Sequence, residues 1–195
     1  MPRKAKVERK TSEVTVSVDI NLDGKGKYDI DTGIPFFDHM LSQFAKHGYF
    51  NLQIKAKGDI DIDFHHTVED VGLALGEAFL KALGDKSGIA RFGEAFVPFD
   101  ETLVFASVDL SGRPFFVHKV LNQKGKVGDF DVELEKEFFK SLSNGLMCNL
   151  HIELKHGDNI HHIIEAAFKA VGRALDRASI IDARSKAIPS TKGKL

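Results

Sequence analysis

Apolar residues alternate with polar ones from Glu13 to Asn21, with Val14, Val16, Val18 and Ile20 on one face. A period of two is the mark of a half-buried strand. Leu22-Asp23-Gly24-Lys25-Gly26 reads as a turn, and Lys27 to Asp31 as a second strand. The period then changes. Pro35 opens a helix through Phe36 to His47 that stops at Gly48, because proline suits a first helical turn and glycine a helix end. Alternation returns from Phe50 to Ala56, and Gly58 to Phe64 forms an acidic loop or short strand. Val68, Val71, Leu75, Ala78, Phe79 and Leu83 then make the apolar stripe of a helix over Thr67 to Leu83. The rest of the chain repeats this order. Strands are expected at 102–109 and 114–120, a flexible polar loop at 123–128, a helix at 133–142, a strand at 147–155 and a last helix at 162–178.

The repetition reaches single residues. Asn51-Leu52-Gln53-Ile54 precedes Asn149-Leu150-His151-Ile152 by 149 − 51 = 98 positions, and His65 precedes His161 by 161 − 65 = 96. Upstream, Ser17-Val18-Asp19 echoes Ser107-Val108-Asp109. This period is too long for a solenoid and points to a duplication. The expectation is one α+β domain over residues 1–195, with pseudo-two-fold halves at 8–90 and 98–182 and a C-terminal tail at 183–195. Each half is expected to be a four-stranded, mostly antiparallel sheet backed by two helices. The helical layers then pack together between the sheets, since each sheet has a face to cover.

Composition narrows the picture. A chain of 195 residues with 43% hydrophobic content suits a compact globular protein. A net charge of −1 gives no reason to expect a nucleic acid or an anionic membrane as partner. The basic start, Met1 to Lys6, leads into no apolar run, so neither a signal peptide nor a transmembrane segment is expected and the cytoplasm is the expected location. The lone cysteine, Cys148, lies in an apolar stretch and reads as a buried thiol.

Candidate chemistry centres on a motif that occurs twice, His65-His66-Thr67-Val68-Glu69 and His161-His162-Ile163-Ile164-Glu165, each at the head of an amphipathic helix. Residues three and four apart share a helix face, so each carboxylate can join an ion held by a histidine of its own motif. Adjacent histidines point about 100° apart, so one pair can serve two ions. His39, on the first helix, corresponds by the repeat to Glu137, and both are candidate ligands. His47, His118, His151 and His156 lack such partners and read as structural or exposed. Arg91, Arg113, Lys169 and Lys192 stand outside any charge run, and Ser190-Thr191-Lys192-Gly193 offers hydroxyls and a cation to an oxyanion. Imidazole and carboxylate ligation suits manganese, iron, nickel or zinc. A dinuclear hydrolase and a structural metal protein remain alternative readings of the same ligands.

Phe37-Asp38-His39-Met40, His65 to Asp70, Asp109-Leu110-Ser111-Gly112-Arg113-Pro114, His161 to Glu165 and Pro189 to Gly193 together, in this order along nearly the whole chain, closely resemble the imidazoleglycerol-phosphate dehydratase family. The resemblance implies an enzyme of histidine biosynthesis, in a stand-alone prokaryotic form, that converts imidazole glycerol phosphate to imidazole acetol phosphate and water. It implies two Mn²⁺ per active site and a homo-oligomer of about 24 chains with active sites at subunit interfaces. It also places Glu13 and Gln43 against the substrate, and Arg91, Arg113, Lys169, Ser190 and Lys192 around its phosphate and hydroxyls. Members of the family often carry His where this chain has Glu137. The chemistry fits such a site, because the proton to be lost is not acidic until the ring has expelled the neighbouring hydroxide. A metal-bound imidazolate passing to a diazafulvene-like intermediate achieves that. Glu13, His65, Glu69, His161 and Glu165 are the expected catalytic set, with Glu13 as acid/base. The repeat suggests that one ion takes His39, His66, Glu69 and His161, and the other Glu137, His162, Glu165 and His65.

Overall fold

The computed structural model describes residues 3–120, 124–193 and 195. Gln123, the first residue of the expected polar loop, lies outside them, as do Met1 and Pro2 of the basic start and Lys194 of the tail. The first part of the chain forms β1 (Lys4–Lys10), β2 (Thr15–Asn21), β3 (Tyr28–Asp31), α1 (Pro35–His47), β4 (Asn51–Lys57) and α2 (His65–Leu83). The second forms β5 (Phe92–Phe99), β6 (Thr102–Asp109), β7 (Phe115–Lys119), a short hairpin of β8 (Lys126–Val127) and β9 (Phe130–Asp131), α3 (Glu133–Leu146), β10 (Asn149–His156) and α4 (Ile160–Ser179). The hairpin falls where the flexible loop was expected.

The two large sheets have the same strand order, β1-β2-β4-β3 and β5-β6-β10-β7. In each, the last pair is parallel and the others antiparallel. α2 lies on β1 and β2, α4 lies on β5 and β6, and the helices meet between the sheets as α1 with α4 and α2 with α3. This is the expected α+β sandwich of sheet, helices, helices and sheet. The core contains phenylalanines from all four long helices, Phe37, Phe44, Phe79, Phe138, Phe139 and Phe168 among them.

Two strands had no readable pattern, and each sheet begins earlier than the repeat suggests. β1 is an edge strand in which only Val7 is buried, so its sequence Lys-Ala-Lys-Val-Glu-Arg-Lys carries no apolar alternation. β5 inverts the usual pattern. Gly93, Ala95 and Val97 face inward while Phe92 and Phe96 face solvent. The cause is α4, which comes so close that a Cβ on Gly93 would stand 2.6 Å from the Ala178 nitrogen. The outer faces of the sheets differ accordingly. The first carries Lys6, Glu8, Asp29 and Lys55 in ion pairs, whereas the second exposes Phe92, Phe96 and Phe115.

Glycine sets the helix contacts that assemble the site. A Cβ on Gly172 of α4 would stand 2.6 Å from the Phe44 carbonyl oxygen of α1. A Cβ on Gly72 of α2 would stand 2.8 Å from the Phe138 carbonyl oxygen of α3. Backbone-to-backbone approach brings His39 toward α4 and Glu137 toward α2. Among the described residues, no helix is long and apolar enough to cross a membrane.

Candidate metal centre

α4 starts at Ile160, with Asn159 as its N-cap. The Asn159 side-chain oxygen accepts from the backbone N–H groups of His161 (2.9 Å) and His162 (3.3 Å), which satisfies donors that a helix start leaves free. One turn on, Glu165 Oε2 lies 3.1 Å from His161 Nε2. His39 Nε2, from α1, lies 3.3 Å from the same oxygen. The three candidate ligand atoms all lie within 4.8 Å of one another. Neighbouring ligands around an octahedral ion with bonds of about 2.1 Å stand about 3.0 Å apart, so the spacing suits a shared cation.

The other oxygen of Glu165 is taken. Lys169 Nζ lies 2.7 Å from Oε1, one turn further along α4, and also lies 4.0 Å from the centre of the Phe99 ring. Burial pushes the Glu165 carboxyl upward, but the Lys169 hydrogen bond and charge, joined by His161 and His39, hold it below the ordinary carboxylate value. Glu165 is therefore an anion with one oxygen anchored and the other turned to two imidazoles. The grouping expected from the repeat had set Glu69 with His39 and His161. Within one chain the geometry sets Glu165 there, because α1 packs on α4 and not on α2.

The corresponding residues around the first motif, His65, Glu69 and Glu137, form no such close group among the described residues. The backbone N–H of His65 donates to Asp63 Oδ1 (2.7 Å). Glu137 instead pairs with Lys140 at 2.9 Å, and the Glu69 charge acts on the same lysine.

The second histidine of each motif points elsewhere and is held by a carboxylate. His66 Nδ1 lies 3.0 Å from Asp59 and 3.7 Å from Glu13. The Asp59 hydrogen bond, helped by the Glu13 charge, raises the His66 pKa against a smaller desolvation. His162 Nδ1 lies 2.8 Å from Glu101, whose carboxyl is held at about 2, first by His162 and then by the Asn159 N–H. A carboxylate on Nδ1 orients the ring and leaves Nε2 for an ion. Asp59 and Glu101 escaped the sequence reading. For Glu101 the available signal was positional, because it lies in the tight β5–β6 turn as the expected Glu13 lies in the β1–β2 connection. Gln43 lies one turn past His39 on α1 and is partly buried.

A second cluster lies at the other expected group. Arg91, Arg113, Pro189, Ser190, Thr191, Lys192 and Leu195 line a cleft of about 540 Å³. Arg91, at φ 72°, donates from Nε to Asp109 (2.7 Å) and from a terminal nitrogen to the Pro189 carbonyl (2.8 Å). Four of the five residues expected around the phosphate and hydroxyls of the substrate thus line one cleft. The fifth, Lys169, lies at Glu165 instead.

The remaining histidines have other roles. His118 forms a 2.6 Å pair with Glu135, both buried. His156 lies 3.0 Å from the Glu101 carbonyl oxygen, and His151 is exposed on the outer face of its sheet. His47 is partly buried, and burial lowers its pKa.

A sequence model described as imidazoleglycerol-phosphate dehydratase matches residues 32–175. The imidazoleglycerol-phosphate dehydratase of Geobacter sulfurreducens is 55% identical over 195 residues, the whole of both chains. That of Thermoanaerobacter pseudethanolicus is 58% identical over 193 residues, covering 99% of this chain and all of its own. Among solved structures, the Staphylococcus aureus imidazoleglycerol-phosphate dehydratase superposes with a TM-score of 0.81 at 38% identity, covering 90% of this chain and 97% of its own. A Pyrococcus furiosus IGPD in complex with (S)-C348 superposes with a TM-score of 0.80 at 39% identity, covering 97% and 100%. Similarity this high along the whole length, added to paired histidine motifs in the same fold, places the chain in the imidazoleglycerol-phosphate dehydratase family.

Proposed function

We propose that the chain dehydrates imidazole glycerol phosphate to imidazole acetol phosphate with two divalent metal ions, manganese foremost, in a homo-oligomer whose sites lie between subunits. The family supports dehydratase activity in histidine biosynthesis. The observation that carries the metal reading is the His39–His161–Glu165 group, with Glu165 turned to both imidazoles and anchored from behind by Lys169. Its nitrogen and oxygen donors suit a first-row divalent ion. One ion would be held by His39, His161 and Glu165, the other by His65, Glu69 and Glu137. His66 and His162 face away on their helices, and each would complete an ion on a neighbouring copy.

Bound ions would supply Lewis acidity to the two ring nitrogens, so that the imidazole can expel the adjacent hydroxyl through a diazafulvene-like state. The chain's own groups do the rest. The cations of the Arg91–Arg113–Lys192 cleft hold the phosphate, which does not react, and so orient the glycerol carbons. Ser190 contributes a hydroxyl there. Gln43 lies on the same α1 face as His39 and offers its amide to a substrate hydroxyl. Glu13, half-exposed beside His66, takes the proton from the carbon next to the leaving hydroxyl, giving an enol that becomes the ketone product. The two halves are read as an ancient duplication, and a cytoplasmic location fits a biosynthetic enzyme of this family.

The deciding experiment incubates metal-stripped, manganese-reconstituted protein with imidazole glycerol phosphate and follows the ketone product, with sedimentation of both forms in parallel. Turnover that needs the metal, and a larger assembly in its presence, are expected. Equal turnover after complete chelation sinks the metal reading, and an assembly of unchanged mass sinks the shared sites.

A further inference from the structure

Behind the phosphate cleft lies a cation that the reaction described above leaves unused. Lys86 follows α2 in the turn to β5, is only 4% exposed, and takes a left-handed backbone at φ 63°. A lysine pays heavily for burial, so a buried ammonium calls for a partner. Lys86 has one. Its Nζ donates to the Leu110 carbonyl at 3.0 Å, and its other two donors have no partner among the described residues. No side-chain carboxylate pairs with it among the described residues. Asp109, the nearby acid, is already held by two nitrogens of Arg91, at 2.7 and 3.2 Å.

Leu110 leads directly into Ser111-Gly112-Arg113, the turn that carries one wall of the cleft. Gly112 stands at φ 76° and has no side chain to close the space between Lys86 and that wall. A Cβ built on it would lie 3.8 Å from Lys86 Nζ and 2.8 Å from the terminal carboxyl carbon of cleft-lining Leu195. The Lys86 ammonium and the cleft-lining Leu195 therefore both approach the same glycine. Lys86, Arg91, Arg113 and Lys192 thus set four positive charges against the two of Asp109 and the Leu195 terminal carboxylate, a surplus that an anion would balance.

We infer that Lys86 is a further positioning cation of the anion site. It holds the Ser111–Arg113 turn through the Leu110 carbonyl and adds its charge to the cleft from behind Gly112. The inference rests on the cleft being the phosphate site. Burial, with the charges of Arg91 and Arg113 acting in the same direction, lowers the Lys86 pKa. A dianion in the cleft acts against that, so anion and ammonium stabilise each other.

Three variants and one control test it. Lys86→Met removes charge and donor, Lys86→Gln keeps a donor and loses the charge, and Lys86→Arg keeps both. The readouts are KM, kcat, competitive inhibition by inorganic phosphate, metal content and melting temperature. Lys86→Met and Lys86→Gln should each raise KM and the phosphate inhibition constant about tenfold, with kcat and metal content nearly unchanged. Lys86→Arg should stay within about threefold of the parent, and the control Arg113→Lys should also weaken phosphate. Should Lys86→Met fail to fold, the Gln and Arg variants still decide, and equal phosphate affinity in those two overturns the inference. A lower melting temperature with parental phosphate affinity makes Lys86 merely structural. If Arg113→Lys keeps parental affinity as well, the phosphate reading of the cleft falls with it.

Discussion

The two His-His-x-x-Glu motifs head helices that lie on sheets of identical strand order, yet among the described residues only the second gathers three potential ligands within one chain. The difference lies in the residue that the facing helix supplies. α1 offers His39 to His161 and Glu165, so two imidazoles meet one carboxylate and attract it without any ion. α3 offers Glu137 to His65 and Glu69, so two carboxylates share one site. Like charges resist such an approach until a cation neutralises them, and Glu137 turns to Lys140 meanwhile. One group is thus preformed, and the other is not assembled among the described residues. A short motif can identify ligands, but the electrostatics of the facing helix decide whether they assemble.

The sharpest test of this contrast removes one carboxylate from each half. Glu165→Gln should lower turnover on the order of 10³-fold, about 4 kcal/mol of barrier, and abolish the tighter of two metal-binding phases in a calorimetric titration. Glu69→Gln should cost as much activity but leave that tighter phase intact. Loss of the same phase in both variants would refute the preformed second half.

A smaller effect is expected from the carboxylates behind the outward histidines. Glu101→Gln and Asp59→Asn free the rings of His162 and His66 to turn, at a cost of about 10- to 100-fold in metal affinity. Manganese titration followed by its free-ion resonance would measure this. Parental affinity in both would mean that those rings are oriented by something else.

The contrast can also be undone. Glu137→His gives the first motif the ligand set of the second, so that group should close without metal and bind its ion a few-fold tighter. A variant that binds this ion more weakly shows that charge, not ligand pairing, governs the site.

The smallest effect concerns Cys148, which stands where the repeat sets Phe50 in the first half. Both are buried, and the residues just before them, Met147 and Tyr49, share a left-handed backbone at φ 56° and 57°. Burial pushes the Cys148 thiol up to about 12. A maleimide or disulfide reagent at pH 8 should leave it unmodified in the native protein and label it only in denaturant. Rapid native labelling would mean that this part of the second half opens readily.

Much of this was legible in the chain. Periods of two and of 3.6 located six strands and all four long helices. The doubled motif and His39 singled out candidate ligands, of which the structure brings His39, His161 and Glu165 together. Those signals are local or repeat at a fixed offset, so order along the chain carries them. Other features had no local trace. β1 is an edge strand with one buried side chain, and β5 turns its aromatics outward because α4 leaves room only for Gly93 and Ala95. Which glutamate joins His39, which carboxylates hold His66 and His162, and where Lys169 and Lys86 point depend on which helices touch and how closely. Contacts between residues far apart in the chain are settled by packing, and only the tertiary structure decides them.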